Sequence, residues 1–95
     1  MLVFEYKGYN FRMAEWHTDD FSDSVKGLVE VNTDYGWVEI IEYKGFEGDD
    51  SLILLDDNEI TRKYIEFDYF TFNERNVLDF IKDHECKVMK LIEEA

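Results

Sequence analysis

Apolar and polar side chains alternate along residues 2–13, and the alternation is mirrored about Lys7-Gly8. A two-residue turn there sets Tyr6 opposite Tyr9, Phe4 opposite Phe11 and Leu2 opposite Met13 on one face of a hairpin. Val3, Glu5, Asn10 and Arg12 take the other face, which suits water. A second hairpin is predicted around Asp34-Tyr35-Gly36, with arms Leu28–Thr33 and Trp37–Lys44. In its first arm Val29, Val31 and Thr33 alternate with Leu28, Glu30 and Asn32. The return arm breaks the period at Glu39-Ile40-Ile41-Glu42, because a regular strand would point its two glutamates to opposite faces. A β-bulge at Ile40-Ile41 lets both carboxylates face solvent.

The rest of the chain is read by the same patterns. Trp16–Lys26 accommodates two readings: a short helical turn capped by Asp19 or Ser22 that buries Phe21 and Val25, or an acidic loop. Gly45–Ser51 reads as a turn-rich loop, and Leu52–Leu55 as a short apolar strand ended by Asp56-Asp57-Asn58. Ile60–Phe70 reads as a strand with Ile65, Phe67 and Tyr69 inward and Tyr64, Glu66 and Asp68 outward. Asn73 then caps one long helix from Glu74 to about Glu93, with Phe72 and Val77 placed as a hydrophobic staple. Its buried stripe is Val77, Ile81, His84, Val88 and Leu91/Ile92, and its charges are spaced for internal pairs: Arg75–Asp79, Asp79–Lys82 and Asp83–Lys87. The predicted fold is α+β: an antiparallel sheet of five or six strands built from hairpins, with one C-terminal helix packed on one face. Leu2, Phe4, Phe11, Ile65, Phe67, Ile81 and Val88 are expected in a single core within one domain, residues 1–95.

Charge alters this picture of a plain small domain. The chain has 23 acids against 10 bases, a net −13. Fourteen of the acids fall between Glu15 and Glu59, where only Lys26 and Lys44 oppose them. Self-repulsion at this level works against a compact fold. At 45% apolar and 17% aromatic residues the chain is nevertheless rich enough in core formers to fold. It lacks a basic patch, which argues against direct binding of nucleic acid or anionic lipid. One cysteine, Cys86, permits no internal disulfide, and no leader or membrane span is evident, so a cytoplasmic setting is expected.

Candidate chemistry is sparse. Asp34 followed by Glu42-Tyr43-Lys44 in a hairpin resembles the metal-dependent nuclease arrangement of an aspartate and a Glu-X-Lys strand, whose carboxylates hold Mg²⁺. The proline that precedes the aspartate in that pattern is missing, and a net −13 opposes holding DNA. His17 with Asp19, Asp20 and Asp23, or Asp49-Asp50 with Asp56-Asp57, offer oxygen ligands without the spacing of an EF-hand. Cys86 has Lys82 and Lys90 four residues away but no evident base or oxyanion hole. No cofactor motif is found, and no enzyme is expected.

Size, charge and compactness together make the chain similar to the small acidic DNA mimics that phages use against restriction, CRISPR or nucleoid proteins. That resemblance implies a non-enzymatic inhibitor that occupies the nucleic-acid-binding surface of a basic host protein. The alternatives are an immunity protein blocking a nuclease toxin and a structural subunit whose acidity is incidental. The acids expected to meet the partner are Glu30, Asp34, Glu39, Glu42, Glu47, Asp49, Asp50, Asp56 and Asp57. Tyr64 and Phe70 are placed as interface aromatics, for that partner or for a homodimer.

Overall fold

The computed structural model of the chain describes residues 2–17, 25–46, 49–56, 60–65 and 72–94. The fold is α+β. Six strands form one antiparallel meander: β1 Leu2–Tyr6, β2 Tyr9–His17, β3 Val25–Thr33, β4 Gly36–Phe46, β5 Asp49–Leu54 and β6 Thr61–Ile65, each paired with its neighbour in sequence. Helices α1 Glu74–Asp83 and α2 Glu85–Glu94 follow.

The first hairpin has the expected register, from Tyr6 opposite Tyr9 to Leu2 opposite Met13. Its turn takes left-handed backbone at both central residues, with φ of 50° at Lys7 and 84° at Gly8. That geometry matches the twist of the two arms. The second hairpin turns at Asp34-Tyr35, and its register slips where the sequence pattern breaks. Val29 opposes Ile41 but Glu30 opposes Glu39, which leaves Ile40 as the extra residue of a bulge. Ile40 and Ile41 are therefore both buried, while Glu39 is exposed and Glu42 half-buried. The bulge also offers a carbonyl to the next segment: Leu55 donates its amide to Ile40 at 2.8 Å.

Both helices pack on one face of the sheet. Val77, Phe80, Ile81, Val88 and Ile92 join Phe4, Phe11, Met13, Val29, Val31, Ile40, Ile41, Tyr43, Leu52 and Leu54 in one apolar cluster. The contacts at the helix junction reveal the shape of the sheet. Lys63 of β6 pairs with Asp83, and Lys87 donates to Thr61 of β6; from the other edge, Tyr6 and Lys7 both donate to Glu85. A flat six-stranded sheet would separate β1 from β6 by about 24 Å, whereas a helix with its side chains is only about 10–12 Å wide. The sheet is thus curled round the helical segment.

Four sequence-based expectations are corrected. The long helix is two helices, because His84 leaves helical geometry (φ −122°, ψ 31°) and turns its ring back on α1. Its Nδ1–H donates at 3.0 Å to the Phe80 carbonyl, which also accepts the His84 backbone amide at 3.1 Å. Leu2 is not a core residue but 45% exposed, because it sits at the first rung of an edge strand. Gly45–Ser51 is not a loop: β4 runs to Phe46 and β5 starts at Asp49, with Gly45 opposite Asp50. The charges of the helical segment are not confined to pairs along it: Asp83 pairs with Lys63 and Glu85 with Lys7, because the curl brings those lysines within reach.

Other expectations are met or fall outside the described residues. Asn73 caps α1 by accepting from the Asn76 amide at 2.8 Å. Val25 and Lys26 belong to β3, so neither takes part in a helical turn; the remainder of that question, at Asp19, Phe21, Ser22 and Asp23, lies outside the described residues. So do Glu66, Phe67, Asp68, Tyr69 and Phe70.

Phe72 closes one end of the core. Its ring lies parallel to that of Tyr43, with centroids 4.8 Å apart, directly over Gly27. A Cβ at Gly27 would stand 2.7 and 2.9 Å from two Phe72 ring carbons. Gly27→Ala should therefore lower stability by about 1–3 kcal/mol in urea unfolding. The loss should be largely absent in a Phe72→Leu background, because the clash is with the ring. An undiminished loss there would show that the stack is not the reason.

Candidate functional site

The curled sheet has one face against the helices and one face open. On the open face the cross-strand rows are Lys26–Lys44, Leu28–Glu42–Ile53–Arg62 and Arg12–Glu30–Glu39. With Glu5, this face carries four acids and four bases, and so has no net charge. Arg12 organises its centre. Its Nε and Nη2 donate to the two Glu30 carboxylate oxygens at 2.9 and 3.2 Å, and its guanidinium lies 4.2 Å from the Trp37 ring centroid. Such a forked pair fixes both side chains.

The acids singled out by sequence therefore have different environments. Glu30 is held by Arg12, a base from outside the acidic stretch, and Glu42 lies 3.8 Å from Lys44, so these two acids are not among the uncompensated ones. Asp34 is exposed in the second hairpin turn, and Glu39 is exposed opposite Glu30. Asp49 opens β5 opposite Phe46, and Asp56 is half-buried after β5. Glu47 and Asp57 lie outside the described residues, as does Phe70. Tyr64 is 68% exposed on the open face and accepts from Arg62 at 3.2 Å.

Asp50 is the clearest departure. It is 6% exposed, buried beside Tyr43, and the Tyr43 hydroxyl donates to its carboxylate. Gly45 makes room for the contact, since a Cβ there would stand 2.5 Å from the Tyr43 oxygen and 2.7 Å from Asp50 Oδ1. A lone buried carboxylate is costly, and a hydroxyl donor offsets part of that cost. Sequence pattern missed the pair because Asp50 looks like any loop acid until Gly45 is seen opposite it.

Asp34 and Glu42 do not converge, while Asp19, Asp20, Asp23 and Asp57 of the other proposed ligand groups lie outside the described residues. Asp34 lies beyond Thr33, while Glu42 pairs with Leu28, so about 17 Å of strand separates them. Asp50 and Asp56 lie toward opposite ends of β5. Among the described residues no three His, Cys, Asp or Glu side chains are grouped to hold a metal ion. Cys86 is exposed on α2. Among the described residues no helix is long and apolar enough to cross a membrane.

Eight of the acids fall outside the described residues. Residues 18–24, 47–48, 57–59 and 66–71 contain Asp19, Asp20, Asp23, Glu47, Asp57, Glu59, Glu66 and Asp68, and no base. Three of these four connections leave from one place. His17, Val25, Gly45, Asp50 and Ile65 form a single cross-strand row at one end of the sheet, from β2 to β6. Residues 18–24, 47–48 and 66–71 all continue from strands that end at or just past this row, which spans about 19 Å. Glu15 stands nearby, close enough to bear on the Tyr43 hydroxyl.

Comparison with known proteins gives no family model, no curated relative and no solved structure that matches the chain.

Burial, and then the Asp50 carboxylate beside it, push the Tyr43 hydroxyl up from its ordinary range to about 12. The folded state thus favours the neutral phenol. The stability this confers is complete below the unfolded pKa of about 10, and is lost as pH rises through the folded value. Unfolding free energy should fall between pH 10 and 12 more steeply for the wild type than for Tyr43→Phe. The wild-type-minus-mutant tyrosinate absorbance should show one proton lost near pH 12. A difference titration centred at 10 would contradict the buried pair.

Proposed function

We propose that this protein is a non-enzymatic inhibitor that presents an acidic, DNA-like surface to a basic DNA-binding protein and occupies its nucleic-acid-binding surface. The observation that carries this reading is the partition of charge. The open sheet face is neutral, whereas eight acids without a single base lie in four connecting segments, three of them joined to one end of the sheet. Uncompensated charge keeps its long-range field and speeds encounter with a basic partner, while paired charge largely cancels. Asp34 and Glu39 remain exposed and belong to the same reading; Glu30, Glu42 and Asp50 serve the fold first. Carboxylates held a few ångströms apart resemble successive phosphates closely enough to compete for the same lysines and arginines.

The attachment of three acidic, base-free segments to one end of the sheet also favours a second reading, an immunity protein that fits a single basic cleft of a nuclease toxin. The two are distinguished by breadth of partner.

The experiment is affinity capture on the immobilised protein from a nuclease-treated lysate, with elution by rising salt and by duplex DNA. Nucleic-acid-binding proteins released by both eluents are the expected result. One nuclease, captured alone and held against DNA competition, would favour the immunity reading. Capture of no basic protein would overturn both.

A further inference from the structure

We draw no further inference here: the strongest candidate, the open face of the sheet around Arg12, Glu30 and Trp37, carries equal numbers of acids and bases that select no partner by charge, and nothing in the structure shows what covers it.

Discussion

Ile40 is one residue too many for a regular β4, and the rest of the fold depends on where that residue goes. Without a bulge, either Glu39 or Glu42 would enter the core and one of two isoleucines would leave it. With the bulge, both isoleucines are buried and both glutamates stay off the core face. Bulges also sharpen strand twist, which helps a sheet close round what it covers. Here the covered element is a helical segment whose junction, Asp83 to Lys87, is touched by β6 from one side and β1 from the other. His84 interrupts the helix at that junction.

Four of the chain's ten bases are tied into this scaffold. Arg12 is committed to Glu30 and Trp37, Lys7 to Glu85, Lys63 to Asp83, and Lys44 to the side of Glu42. Lys7 holds Glu85 below the usual carboxylate range and is itself raised by the hydrogen bond between them. Most of these pairs lie at the surface, where each contributes little to stability. Their larger effect is to cancel charge on the open face of the sheet, while eight acids and no base fall outside the described residues.

Much of the architecture was legible in the sequence because strand alternation is strict. Phe4, Phe11, Val29 and Val31 could be placed by period alone, and the Glu-Ile-Ile-Glu sequence announced its bulge. The helix cap was equally visible at Asn73. What escaped was information carried across the sheet. Gly45 and Asp50 read as loop residues, yet Asp50 is buried because Tyr43 reaches it across the space that Gly45 leaves open. Leu2 matched the core pattern, but position at an edge exposed it. The break at His84 has no signature in a pattern of apolar spacing that runs on through it. The acids were legible as a group, but their separation into paired and surplus sets required the register, since only the register sets Arg12 opposite Glu30.

The central claim is that folding and charge display are assigned to different acids. It is tested by comparing two variants for melting temperature and for binding to an immobilised basic protein. One neutralises Asp19, Asp20, Asp23, Glu47, Glu66 and Asp68 to the corresponding amides, and the other neutralises Glu5, Glu30 and Glu42. The account predicts that the first melts no lower than the wild type and loses binding, because relief of repulsion offsets any small loss. The second should melt lower, through the abandoned Arg12, and retain binding. A first variant that unfolds, or a second that loses binding while remaining folded, would contradict it.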